Sequence, residues 1–174
     1  VLIGNSSGVQ QPGLKVVNAL ELKEALATPW LLKESDRGAS VKIIRNSRYY
    51  LHGVIRFLDN HAARSDKAVP VSLAFKLVAA RRYGKGDWII THFVINIAPK
   101  NMRKNYALPF LIATLRWLSA RGYAAVRFPV FSRRRCQNFT EMLLHTGFQF
   151  KVLNRYLFQT IKVELQPLNS IHDT

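Results

Sequence analysis

Apolar and polar positions alternate in two rhythms along this chain, and the rhythms are clearest from residue 71 onward. Val71 to Arg82 and Trp88 to Ile97 are rich in β-branched and aromatic residues and read as two strands. Between them, Tyr83-Gly-Lys-Gly-Asp87 places glycines at an apex, which makes a hairpin. Leu108, Leu111, Ile112, Leu115 and Leu118 then recur at helical spacing with Arg116 off the stripe, predicting a helix from about Asn105 to Arg121. Pro109 is expected near its first turn, where proline is tolerated, and Gly122 ends it in the left-handed conformation. Ala124 to Val130 reads as a strand. Arg134 to Thr146 reads as a helix with Phe139, Met142, Leu143 and Thr146 inward, stopped by Gly147. Two strands follow, Phe148 to Leu153 and Tyr156 to Leu165. This order predicts an α/β fold, a mixed sheet with helices on both faces.

The first seventy residues carry a weaker pattern. Leu14-Lys-Val-Val17 is a short strand candidate, and Asn18 caps a helix running to about Ala27, where Thr28-Pro29 stops it. Val41 to Ile44 looks like a strand. Ser47 is placed to cap a helix from Arg48 to Ala63, carried by Tyr50, Val54, Phe57, Leu58 and His61, with Ser65 to Lys67 as a loop. Residues 1–13 read as a flexible lead-in without the basic-then-apolar layout of a secretory signal. Residues 14–174 then form a single domain, with its best-defined core over residues 71–165.

Composition sharpens the picture in three ways. At 174 residues and 48% hydrophobic, the chain can bury a sizeable core. Its longest apolar run, Trp88 to Ala98, is broken by His92 and Asn96 and falls short of the ~18 residues a membrane span needs, so no integral membrane segment is expected. The lone Cys136 excludes an internal disulfide and makes the cytoplasm the default location. Net charge is +16, with a pI of about 10.6, and Glu141 is the only acidic residue between Trp88 and Val163. Such a field attracts RNA or other anionic macromolecules, acidic membrane surfaces or acidic substrates. Five scattered histidines and one cysteine provide no metal-ligand spacing, and the phosphate-loop and dinucleotide glycine fingerprints are missing.

The stretch with most chemical content is Pro99-Lys-Asn-Met-Arg-Lys-Asn-Tyr-Ala107. A strand, a short basic turn and a helix N-terminus together make a site for an anionic phosphate group. Taken in register with Gly122-Tyr123 and Gly147-Phe148, it resembles the acyl-CoA-binding core of the GCN5-related N-acetyltransferases (GNAT), over roughly residues 71 to 165. Pro99 matches the family's proline, Met102 its Arg/Gln position, Arg103 and Lys104 its variable pair, and Asn105 and Ala107 its two glycine positions. The resemblance implies a GNAT-like fold with acetyl-CoA or another acyl-CoA as co-substrate. Backbone near Ile95 and Ile97 would hold the pantetheine arm, and amides from Arg103 through Tyr106 to Ala107 would hold the pyrophosphate. Asn105 would take a glycine's backbone conformation, and Arg133 or Arg134 would reach the nucleotide end. Leu143 stands where the family often carries a tyrosine acid.

Acyl transfer to an amine needs a base and a donor to the oxyanion. His92 is the nearest titratable side chain on the strand before the turn; a core histidine is the competing reading. Glu141 and His145, four apart on one helix, can orient each other or form a surface contact of ~0.2–0.5 kcal/mol. Tyr156 is a substitute acid or a core aromatic, and Cys136 a small buried residue. The leading expectation is an acyl-CoA-dependent N-acyltransferase acting on an amine of an anionic or nucleic-acid-associated acceptor. The alternative is a non-catalytic basic nucleic-acid-binding protein on a degenerate GNAT fold. For that alternative the Arg81-Arg82 and Lys85 hairpin tip, with Tyr83 for stacking, supplies a patch.

Overall fold

In the computed structural model, residues 14, 17–31, 39–59, 67–81, 88–155 and 158–166 are described. The hairpin is the frame on which the rest is built. β3 (Val69–Arg81) and β4 (Trp88–Ala98) pair antiparallel from Ser72↔Ala98 to Arg81↔Trp88; their connecting apex lies outside the described residues. Because side chains alternate along a strand, Leu73, Phe75 and Leu77 share one face with their partners Ile97, Ile95 and Phe93. All but the half-buried Ile95 are buried, and this is the inner face of the sheet. α3 (Arg103–Ala120) covers it, with the Phe110 ring 5.6 Å from Phe75 and 6.4 Å from Phe93. Full burial of each such ring contributes roughly 1.5–3 kcal/mol.

β5 (Ala125–Val130) lies parallel to β4, and β7 (Phe158–Glu164) and β6 (Phe150–Arg155) follow antiparallel to their neighbours. With β1 (Ser40–Asn46) and β2 (Tyr50–Asp59) on the other side, the order is β1-β2-β3-β4-β5-β7-β6. The result is a mixed seven-stranded sheet with helices packed on it. α4 (Arg133–Leu143) seats Phe139 against Phe128 of β5 at 4.7 Å. Gly122, at φ 88°, closes α3 as expected: the Tyr123 amide donates to Leu118 and the Gly122 amide to Ser119. Among the described residues no helix is long and apolar enough to cross a membrane.

The N-terminal segments differ most from expectation. Residues 50–59 of the predicted Arg48–Ala63 helix are strand β2, paired with both β1 and β3. Their apolar residues fit a helical spacing, but Leu51, Ile55 and Phe57 also alternate onto the buried inner face, so periodicity alone cannot discriminate. Gly53 decides it. The Phe75 ring lies over this glycine, and a Cβ there would come within 2.6 Å of it.

Leu14 and Val17 do not form a strand; the Val17 amide donates to Leu14 across a turn, and Lys15 and Val16 lie outside the described residues. Asn18 does cap α1 (Ala19–Leu22), accepting from the Glu21 amide at 2.8 Å. The helix does not stop at Thr28-Pro29. A π-helical turn (Lys23–Ala27) precedes α2 (Thr28–Leu31), and this widened turn makes room for a ring that would clash in a regular α-helix. Trp30 is thereby delivered onto Phe57, Tyr106 and Phe110. Pro109 sits further into α3 than its first turn.

Replacing Gly53 by valine should destabilise the fold by about 1–3 kcal/mol, since the branched side chain must displace Phe75 from a filled core. Thermal or urea denaturation of Gly53→Val against the parent chain measures this; an unchanged midpoint would contradict the packing.

Candidate functional site

The site begins with one extra residue. In the β3–β4 ladder Val78 faces His92 but Ala79 faces Ile90, so Thr91 is bulged out of register. Its hydroxyl donates to the Val78 carbonyl at 3.3 Å. A bulge bends its strand and increases the local twist. The consequence shows at once on the other edge of β4. Its parallel pairing with β5 comprises only Ile89↔Ala125 and Ile90↔Val126, closed below by an Ala124 amide to Trp88 carbonyl bond of 2.8 Å. Beyond it, β4 runs on to Ala98 and β5 to Val130 without pairing to each other. Backbone groups that the two strands turn toward each other therefore lack a strand partner, in the middle of a sheet, where such groups need one. On the inner face the opening is backed by Phe93 and Phe128, whose ring centroids are 5.3 Å apart.

The basic turn stands at the wide end of this opening. After the cis Ala98–Pro99 bond, a 3-10 turn (Lys100–Met102) winds directly into α3. Asn105 is therefore helical, and no described non-glycine residue has positive φ, so a glycine-like backbone at Asn105 is not what is observed. The amide cradle is also narrower than expected. A helix leaves its N-cap and first three amides unpaired. Here the Met102 amide donates to Pro99 and the Arg103 amide to Lys100, while Tyr106 and Ala107 enter the helical ladder. By that rule, Lys104 and Asn105 are the amides left to act as helix-end donors. Lys100, Arg103, Lys104 and Asn105 are exposed, with no acidic residue in the first turn. Met102 is buried, so its side chain belongs to the core rather than to a ligand.

α4 starts beside this region, at the carboxyl end of β5. Ser132 caps it, accepting from the Arg135 amide at 3.2 Å, and Arg133 and Arg134 are exposed in its first turn. Two helix N-termini and their cations thus stand outside the carboxyl ends of two parallel, diverging strands, the position at which open α/β sheets bind ligands. Ile95 and Ile97 lie on the stretch of β4 that pairs with β3 but not with β5.

His92 lies on the outer face, just past the bulge, half-buried and without a hydrogen bond or ion pair among the described residues. Glu141 does not join it: Glu141 is exposed on α4, whose Phe139 packs on the inner face, and it forms no ion pair with His145. Tyr156 lies outside the described residues. Cys136 and Leu143 are buried in the core.

Tyr106 has a role that sequence reasoning did not assign. Its hydroxyl donates to the carboxylate of Asp59, which is 5% exposed at the end of β2, and its ring packs on Phe57 and Trp30. The first turn of α3 is thereby tied to the sheet. Desolvation, reinforced by the Asp59 hydrogen bond and charge, pushes the Tyr106 phenol above its ordinary range. Tyr123 is pushed up to about 12 by burial, with Arg121 pulling weakly the other way, and its hydroxyl has no partner.

Both phenols hold their protons more tightly in the folded chain, so stability should be full below about pH 10 and fall as pH rises toward 12. Tyr106→Phe should cost about 1–3 kcal/mol at pH 7 by stripping a bond from buried Asp59, whereas Tyr123→Phe should be nearly neutral there. Either substitution should flatten the alkaline loss in denaturation curves taken from pH 8 to 12.

No family model and no curated protein matches this chain. Solved structures do. An aminoglycoside N(6')acetyltransferase from Legionella pneumophila subsp. pneumophila str. Philadelphia 1 is similar at 10% identity and TM-score 0.41, over 68% of this chain and 65% of that one. A protein assigned to the GNAT acetyltransferase family from Desulfovibrio desulfuricans is similar at 13% identity and TM-score 0.40, over 68% and 71% of the two chains. A domain from Methanocaldococcus jannaschii DSM 2661 is similar at 11% identity and TM-score 0.43, over 85% and 94%. The match thus spans just under two thirds of the first of these proteins.

Proposed function

We propose that this protein is an acyl-CoA-dependent N-acyltransferase, with acetyl-CoA as the natural first donor to test. One observation carries the reading: β4 and β5 part after Ile90 and Val126, leaving unpaired strand backbone that leads from a basic helix N-terminus to His92. An extended pantetheine arm, with its two amides, is the kind of ligand such a gap accommodates, because it can supply the hydrogen bonds the missing strand would have made. The backbone of β4 around Ile95 and Ile97 would hold the arm, against the Phe93 and Phe128 rings. Lys104 and Asn105 amides and the charges of Arg103 and Lys104 would take the pyrophosphate, and Arg133 or Arg134 the nucleotide phosphate.

Bound acyl-CoA would supply a thioester carbonyl open to attack by an amine. The C–N bond forms as the C–S bond breaks, and CoA leaves as a thiolate that takes its proton from solvent or the one passed on by His92. The chain must then hold the amine in line, receive its proton and donate to the oxygen as it becomes negative. His92 fits the proton-accepting role, directly or through one water, because it sits on the outer face where the opening narrows. An unpaired β4 amide beyond Ile90 fits the oxyanion role. The Asp59–Tyr106 contact positions the donors by fixing the first turn of α3.

Calorimetry with acetyl-CoA should show one site, and Asn105→Pro should weaken binding at least about tenfold by deleting an amide that the helix itself does not use. No heat at millimolar acetyl-CoA sinks the proposal. In a thiol-release assay with amine acceptors, His92→Gln should lower kcat by roughly 10²-fold or more while leaving the acetyl-CoA affinity near its original value.

A further inference from the structure

Beneath the same opening, on the outer face, the sheet carries a line of cations. Arg127 is the first residue of β5 after its last pair with β4, on the face opposite Val126 and Phe128. Directly across from it on β7 is Lys162, and directly across from Lys162 on β6 is Lys151. Like charges placed opposite one another on adjacent strands repel and weaken a sheet. Three in a row need a reason.

Solvation does not provide it. The Lys162 side chain is only 14% exposed, and Arg127 is half-buried with its Nε out of contact with solvent and without a hydrogen-bond partner. A desolvated, unpaired guanidinium nitrogen is costly. Among the described residues, Glu164 is the carboxylate on this face, bonded to Lys162 at 3.1 Å, and Arg127 makes no ion pair. Across the opening, the next outer-face residue of β4 is His92, neutral or cationic but never an anion. The groups facing this spot are therefore Arg127, Lys162, Lys151, Glu164 and His92, an excess of positive charge around a buried donor.

We propose that Arg127, with Lys162 and Lys151, forms a subsite for an oxyanion carried by the acceptor, a phosphate or a carboxylate, and so holds the acceptor's amine beside His92. A planar guanidinium suits both groups through paired hydrogen bonds. The inference rests on the acyl-transfer reading and adds to it the substrate class: an amine that also bears an anion, approaching from the face opposite α3. This subsite is separate from the basic turn at the wide end of the opening, which faces the donor's phosphates.

The test uses the full chain saturated with CoA, so that the helix-end anion site is filled. Inorganic phosphate and acetate are titrated separately and followed by nitrogen-proton NMR, including the arginine Nε–H signals. Binding should shift the Arg127 Nε–H, and Arg127→Gln or Lys162→Gln should weaken it at least about tenfold. Whichever of the two anions binds more tightly identifies the acceptor's group. A matched acetylation series then compares O-phosphoethanolamine, β-alanine and ethanolamine, and the anion-bearing amine should show the lower KM, an advantage lost in Arg127→Gln. Lys151→Gln, on an exposed position, is a milder variant that should weaken the anion without endangering folding. Anion binding that is absent, or unchanged in all three variants while CoA still binds, overturns the subsite alone. Failure of CoA itself to bind the parent chain overturns the acyl-transfer reading, and the acceptor assignment with it.

Discussion

A single extra residue, Thr91, governs the arrangement of everything around it. Up to Ile90 β4 pairs with β5, and past Thr91 it does not, although both strands stay apolar on their inner faces. The bulge turns the second half of β4 away, and the sheet opens where its two parallel strands meet. Opening a sheet in its interior exposes unpaired amides and carbonyls, a cost comparable to several lost hydrogen bonds. The cluster of Phe75, Phe93, Phe110, Phe128 and Phe139 keeps the inner face closed across the gap, so that the opening does not propagate into the core.

The elements from residue 71 onward were legible because their patterns had one solution. Alternation with β-branched residues marked β3, β4 and β5, and a long stripe from Leu108 to Leu118 marked α3. Tyr50 to Asp59 was not legible in that way. Its outer face mixes Val54, which is buried like Ile55, and Leu58 with His52 and Arg56, and such a run satisfies a helical and an alternating template equally. Its glycine, which costs about 1 kcal/mol in a helix and is required under Phe75 in the strand, was the one local signal against the helix.

The site was legible in outline only. Position and charge of the Pro99–Ala107 turn follow from local sequence, and the structure places them as expected at the carboxyl end of β4. Its internal geometry does not follow. Whether Asn105 is left-handed or helical depends on the 3-10 turn before it, which in turn depends on how far β4 extends. Asp59 escaped notice because it sat in a segment read as helix, although a lone carboxylate in an apolar run needs a partner and Tyr106 is one. Arg127 carries no motif at all. Its meaning comes from two registers, β5 with β7 and β7 with β6, which place it in line with Lys162 and Lys151.

The strong positive charge of the chain can now be divided. Some of it lies at helix N-termini, where Arg103, Lys104, Arg133 and Arg134 add to dipoles already favourable to anions. These are exposed, and a site built from them is selective for little beyond negative charge. Arg127 and Lys162 differ because the Lys162 side chain is largely buried and the Arg127 Nε is out of contact with solvent. A desolvated cation discriminates more sharply than an exposed one, since its partner must replace lost solvation as well as match its charge. In the proposed acyl transfer, affinity for a multiply charged donor and selectivity for an acceptor would have different physical sources in this sheet. The first is read from composition; the second only from register and burial.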